Sequence, residues 1–267
     1  MSKPSIKSLF LPGPAGRLEA LLNTGSANGA PDRRDSCVWR GRSPSYAAVV
    51  AHPHPLFGGT MHNKVVYHAA KTLNEFGFPV LRFNFRGVGA SQGKHDIAPA
   101  DAKAASAGGP GDGRGEVDDV RAALEWLAGE FHLPIIFAGF SFGAAVGLRA
   151  VCAEISSQPK PTAASAGDRG WGVQALILLG LPLHAESREY HYGDLRGCAQ
   201  PKLFVSGERD QYAPTQALAE LIAGLPGANR FVAIPGADHF FNGHLPEMRT
   251  AIRAWVEETL LGGRVAV

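Results

Sequence analysis

The chain has 267 residues, 45% hydrophobic and 19% charged, with a formal net charge of +2, which is enough apolar material for a sizeable core in one large domain. Lys and Arg are spread along the sequence, which excludes the concentrated basic face of a nucleic-acid or membrane-surface binder; the densest basic run, RRDSCVWRGR at 33–42, reads as a solvated loop. No stretch approaches the ~18 apolar residues of a membrane span.

The first residues, MSKPSIKSLFLPGPAGR, hold only a three-residue apolar run, Leu9 to Leu11, too short for a secretory leader. Cys37, Cys152 and Cys198 form no CxxC pair, and an odd number cannot all pair within one chain, so a reducing, cytoplasmic setting is expected. SIKSLFL and RLEALLN (17–23) then read as a hairpin. YAAVVAH (46–52) follows as a strand whose continuous apolar run marks burial on both faces. Val65, Val66, Ala69, Ala70, Leu73 and Phe76 recur at three- and four-residue spacing, predicting a helix over 61–77 that Gly77 ends. PVLRFNF (79–85) is the next strand. A helix near 116–130 opens with Glu116, Asp118 and Asp119, acids that suit the positive end of a helix and read as capping groups. LPIIFAGF (133–140) is a strand leading into a helix over 143–155, and VQALILLG (173–180), PKLFVSG (201–207) and RFVAIPG (230–236) are further strands separated or followed by helices over 214–225 and 245–261.

Strands alternating with helices in this way predict an α/β fold with a mostly parallel sheet flanked by helices. Three stretches break the rhythm, near 24–45, 95–115 and 156–172; their Ala, Gly, Pro and Ser content reads as surface insertions within a single domain spanning 1–267.

AGFSFGAA, 138–145, contains the string GxSxG between a predicted strand and a predicted helix. With 33 glycines in the chain the string alone is weak, and GASQG at 89–93 also matches. That second match leads into KHDIAPADAK with no helix behind it, so nothing would hold Ser91 on a strained corner. At Gly139 to Gly143 a strand enters and a helix leaves, which forces the central Ser141 into an unfavourable backbone conformation that projects its hydroxyl. A serine hydroxyl is a poor nucleophile at neutral pH, so a base must take its proton and an acid must orient that base. In the order serine, acid, histidine that such an elbow requires, GERD places Asp210 just beyond the strand ending at Gly207. GADHFF then places His239 beyond the last strand. Glu208 and Asp238 compete for the acid role from positions that look more solvated.

Two N–H donors must also face the attacked carbonyl oxygen. One is Phe142, directly after the nucleophile; the other comes from HPHPLFGGTMHNKVV, where Pro53 and Pro55 have no N–H and His54, Leu56 and Phe57 remain, His54 favoured and Leu56 next. Losing one such donor typically costs about 2.7 to 4 kcal/mol of transition-state stabilisation. His52, His54, His62 and His68 lack a carboxylate or third histidine at ligand spacing, so no metal is expected. GVGASQ at 87–92 has Gln92 where a dinucleotide loop needs its third glycine, and no cofactor is expected.

Taken together, HPHPLFGGTMHNKVV, LRFNFRGVGASQG, GFSFGA, GERD and GADHFF resemble a group of compact bacterial α/β-hydrolases described as serine hydrolases and related in architecture to dienelactone hydrolases. The resemblance runs from about residue 46 to the end. It implies an α/β-hydrolase fold with an eight-stranded sheet, a triad of Ser141, Asp210 and His239, and activity on simple carboxylic esters. Serine stands where dienelactone hydrolases carry cysteine, which disfavours that substrate class. Only HAESREYHYGDLRGCAQ, 184–200, separates the strands between which this fold commonly inserts a lid, so no cap domain is expected, and Tyr190, His191 and Tyr192 are candidates for the rim of an open site taking short or medium acyl groups. The function expected is a serine carboxylesterase; a thioesterase or small-peptide hydrolase would use the same residues, and a non-catalytic binding protein on the same fold is the alternative of a different class. The partners expected are a small-molecule ester and, at most, a second copy of the chain.

Overall fold

In the computed structural model, residues 5–25, 44–96, 113–157, 172–185, 188–192 and 197–262 are described. Most of the three expected insertions lies outside them. The hairpin is present as β1 (Ile6–Gly13) and β2 (Gly16–Asn23), paired antiparallel from Ile6↔Asn23 to Gly13↔Gly16. β3 (Ala47–Ala51) is buried at every position, as its unbroken apolar run requires, and a single 3-10 turn, Pro55–Phe57, follows it. Helix α1 (Lys64–Glu75) starts where Asn63 caps it by accepting a hydrogen bond from the Val65 N–H, 2.9 Å, and Gly77 with φ of 82° lets the chain turn away. β4 (Val80–Phe83), α2 (Arg114–Phe131), β5 (Ile135–Phe140), α3 (Phe142–Ser157) and β6 (Val173–Leu179) come next. A two-residue ladder of β7 (His184–Ala185) and β8 (Arg188–Glu189), not anticipated from the sequence, precedes β9 (Lys202–Gly207), α4 (Thr215–Ala223), β10 (Asn229–Ile234) and α5 (Leu245–Trp255).

The main sheet has eight strands in the order β1-β2-β4-β3-β5-β6-β9-β10. β1, β2 and β4 pair antiparallel, and every pairing from β4 to β10 is parallel. α1 and α5 bury Val65, Ala69, Leu73, Met248 and Ile252 on one face of the sheet; α2, α3 and α4 bury Val120, Leu124, Val146, Leu148 and Leu218 on the other. The chain steps from β3 to β4 on one side and then crosses to β5 on the other, so the loops after β3 and β5 flank a switch in strand order, the place where open α/β sheets form crevices. Between β6 and β9 lie only residues 180–201, and those of them that are described form the small ladder and no further helical layer.

Two expectations are corrected. The acids of α2 are not exposed caps: the helix starts at Arg114, Glu116 and Asp119 are buried, and the Asp119 carboxylate is gripped by Arg86 from the loop after β4, with Nε at 3.0 and 3.1 Å and Nη2 at 2.7 Å. Glu116 and Asp119, three residues apart, share the face of the helix that turns inward, whereas Arg114 is exposed. Cys152 on α3 and Cys198 before β9 are joined as a disulfide, Cα to Cα 5.1 Å across 46 residues of sequence; a long-range pair with no local signature removes the argument for a reducing compartment. No helix among the described residues is long and apolar enough to cross a membrane.

Candidate active site

Ser141 sits between the last residue of β5 and the first of α3 with φ of 54°, one of three non-glycine residues with positive φ among those described. That conformation costs a serine on the order of 1–3 kcal/mol, and the surrounding packing holds it. The Ser141 N–H donates to Leu179 O at 2.9 Å, and its carbonyl accepts from Ala144 and Ala145 N–H at 2.9 and 3.1 Å. The flanking glycines are demanded by space. A Cβ on Gly139 would lie 2.6 Å from Ala144 N, and one on Gly143 2.4 Å from His52 O. The string GxSxG is therefore the imprint of a helix N-terminus pressed against both its own strand and the end of β3.

Asp210 and His239 reach the same point from the ends of β9 and β10. Asp210 is 3% and His239 2% exposed. His239 Nδ1 lies 2.8 Å from Asp210 Oδ2, and His239 Nε2 lies 2.9 Å from Ser141 Oγ. A carboxylate can only accept, so Nδ1 carries the ring proton and donates to Asp210, leaving Nε2 to accept from the serine hydroxyl. The ring stands edge-on to Tyr212 at 4.7 Å and lies tilted over Phe140 at 5.1 Å. Gly180, with φ of 52°, leaves room for it: a Cβ there would lie 3.1 Å from His239 Cε1. Of the competing acids, Glu208 is exposed and accepts from Gly236 N–H at 2.9 Å, while Asp238 accepts from the N–H groups of Phe240 and Asn242 and from Asn242 Nδ2, at 3.0, 2.9 and 2.6 Å. Asp238 thus shapes the loop that carries His239, and these hydrogen bonds outweigh its slight burial and hold its carboxyl below the usual range. Phe241 anchors that loop in the core, whereas Phe240 is exposed.

Phe142 is the first residue of α3, where helix geometry leaves the N–H without an intrahelical acceptor. Of the three donors considered after β3, the Phe57 N–H is spent on His54 O at 3.1 Å, which leaves His54 and Leu56. The His54 ring packs on Phe142 at 4.9 Å and on Phe57 at 4.7 Å, so His54 is beside the elbow. Leu56 is 45% exposed.

Several residues that fix this turn went unread in the sequence. His52, fully buried, accepts the Phe85 N–H on Nε2 at 3.0 Å and donates from Nδ1 to Pro53 O at 2.7 Å, so it is a neutral strut between the loops after β3 and β4; burial drives its pKa down to about 3. Asn84 accepts from Met61 N–H at 2.8 Å and donates to Glu19 Oε2 at 2.8 Å, and Arg82 donates to Met61 O at 3.1 Å, fastening the segment between the turn and α1. His62 is exposed and His68 half-buried on α1, and no group of three or more His, Cys, Asp or Glu among the described residues is arranged to hold a metal. Ser91, from the second GxSxG string, donates to Asn84 O at 2.7 Å and accepts from Glu19 N–H at 2.9 Å, a staple between β2 and the β4 loop whose hydroxyl is spent on a backbone carbonyl. Tyr190 and Tyr192, candidates for the rim, stack on each other at 6.5 Å and pack against the core, with the Tyr192 hydroxyl donating to Pro182 O at 2.6 Å; His191 is exposed.

Comparison with known proteins gives the same architecture. The family model described as an alpha/beta hydrolase domain matches residues 46–258. An uncharacterized protein of Rickettsia prowazekii is 30% identical over 257 residues, 93% of this chain and 87% of its own. Among solved structures, a Xanthomonas campestris protein described as an a/b serine hydrolase without lid is 30% identical with a TM-score of 0.71, covering 97% of this chain and 96% of that one. A Coxiella burnetii alpha-beta serine hydrolase homologue is 29% identical with a TM-score of 0.69, covering 95% and 98%. With the family model spanning most of the sequence, the chain belongs to the alpha/beta hydrolase family.

Proposed function

We propose that the protein is a serine hydrolase that cleaves small and medium carboxylic esters through an acyl-enzyme. One observation carries the reading: a single buried imidazole bridges a buried carboxylate and the hydroxyl of a serine held at positive φ. In this reading Ser141 Oγ attacks the ester carbonyl as its proton passes to His239 Nε2. Asp210 holds the ring and stabilises the imidazolium; His239 then gives the proton to the departing alcohol. The carbonyl oxygen takes the negative charge, facing the N–H of Phe142 and that of His54 or Leu56. Water, deprotonated by the same imidazole, releases the acid.

What surrounds the serine supports substrates of this size. With no lid layer among the described residues between β6 and β9, an incoming ester meets an open rim. Leu56, Phe57 and Phe240 stand 45%, 60% and 40% exposed on the turn and loop on either side, apolar surface suited to the hydrocarbon parts of an ester. Chromogenic acetate and butyrate esters are expected to be hydrolysed, with Ser141→Ala lower in kcat/KM by about ten-thousand-fold or more. Assaying matched thioesters and amides alongside ranks the leaving groups. Equal rates for the wild type and Ser141→Ala on every substrate would end the proposal.

A further inference from the structure

Strand β9, KLFVSG, is buried throughout, and apart from the lysine at its start its one polar side chain is Ser206, at 0% exposure. Its hydroxyl lies 3.1 Å from Asp210 Oδ2, the same oxygen that takes the Nδ1–H of His239 at 2.8 Å. Asp210 Oδ1 accepts the Tyr212 N–H at 2.9 Å. An ionised carboxylate has no proton to give, so Ser206 must be the donor. A hydroxyl placed in an otherwise apolar strand, spending its proton on one oxygen of one carboxylate, is more than filler; an alanine would fill the same space without a polar atom to satisfy.

We propose that Ser206 is a positioning residue for the hydrolytic machinery: its hydroxyl aims Asp210 Oδ2 at His239 and, by sharing that oxygen, sets how strongly the carboxylate draws a proton onto the imidazole. The proposal rests on the hydrolase reading of Ser141. Two donors on one oxygen divide its negative charge. Without Ser206, Oδ2 presents fuller charge to the ring, the imidazolium form is favoured, and His239 stops acting as a base at a higher pH than before. The other groups facing this pair cannot take over. Glu208 and Arg209, from the same loop, are exposed, and Glu208 is committed to Gly236. Asp238 is committed to Asn242 and Phe240, with Lys64 of α1 reaching only as far as Asn242. From the segment after β6, Leu183 and His184 bind the Tyr212 carbonyl through their backbone N–H groups. His54 packs on Phe142, the residue after Ser141, and the Tyr212 ring meets His239 edge-on at 4.7 Å.

The test is the rate at which a fluorophosphonate labels Ser141, followed from pH 5 to 9 in the wild type, Ser206→Ala and Ser206→Thr; labelling needs the activated serine but no knowledge of the substrate. The acidic limb of the wild-type profile is expected to move up by about half a pH unit in Ser206→Ala, and to return to its wild-type position in Ser206→Thr, which keeps the hydroxyl. Ser206→Cys, of similar size and a weak donor, carries the measurement if the alanine variant does not fold, with a shift of the same sign. A limb that stays in place while only the maximum rate falls would overturn the role of Ser206 and leave the reading of Ser141 intact. A wild type that is not labelled at any pH would overturn both.

Discussion

His52 and Glu116 show how burial sets the acid response through single side chains. His52 is depressed to about 3 from 6.5, so between those values the unfolded chain binds a proton the folded one refuses, and acid weakens the fold. Glu116 is displaced the other way: burial first, set against the Asp96 N–H that it accepts at 3.0 Å, lifts it from 4.5 to about 7. Across that window the folded chain keeps a proton the unfolded one loses, and rising pH weakens the fold. From pH 4.5 to 6.5 the two effects oppose each other, and below 4.5 His52 acts alone. Glu116→Gln removes the second effect. Its unfolding free energy in denaturant should therefore gain on the wild type as pH rises from 4.5 to 7, by on the order of 1.4 kcal/mol per pH unit, and hold steady beyond. Parallel curves for the two proteins would contradict this account.

The elements depend on polar ties between loops as much as on apolar faces. Gly113 at the start of helix α2 is in the left-handed region and has no side chain to cap it, and the Asp96 carboxylate accepts the Gly115 N–H at 3.1 Å instead. Its first turns are further secured by the fork of Arg86 on Asp119, with the Arg86 N–H adding a bond to Oδ2 at 2.9 Å. Arg86 follows β4, so the same pair also fixes the loop to which His52 is tied through Phe85. Removing one partner of a pair this buried leaves a charge without compensation, and Asp119→Asn is expected to cost about 3 kcal/mol in chemical denaturation. Replacing both, as Arg86→Met with Asp119→Leu, should recover most of that loss, because two desolvation costs vanish together. A double variant as unstable as the single one would show that the pair is more than an ion pair in the core. On the same face of the sheet as α2, the disulfide from Cys152 joins α3, which begins at the serine elbow, to the segment entering β9, the strand that leads to Asp210.

Across the whole molecule, what the sequence made readable was whatever repeats or runs. Unbroken apolar strands such as AAVVA and IIFAGF identify a doubly covered sheet, and spacing along α1 identifies its inner face. The meeting of Ser141, Asp210 and His239 followed from chain order and strand ends, since every parallel strand delivers its loop to the same edge. The unread parts depend on distances between segments far apart in sequence. Nothing local in Cys152 and Cys198 says that they pair, nothing in Glu116 that it is buried, and nothing in Tyr190 or Tyr192 that they pack inward. Ser206 left a trace, as a lone hydroxyl in an apolar strand, but its partner became visible only with the turn from Gly207 to Asp210. Hydrolysis by this molecule would depend on the chemistry of one hydroxyl, that of Ser141. Intact-mass analysis and peptide mapping after fluorophosphonate treatment test it most directly. A single adduct on Ser141, absent from Ser141→Ala and from His239→Ala, is the predicted result, whereas no adduct, or one on another serine such as Ser91, would contradict it.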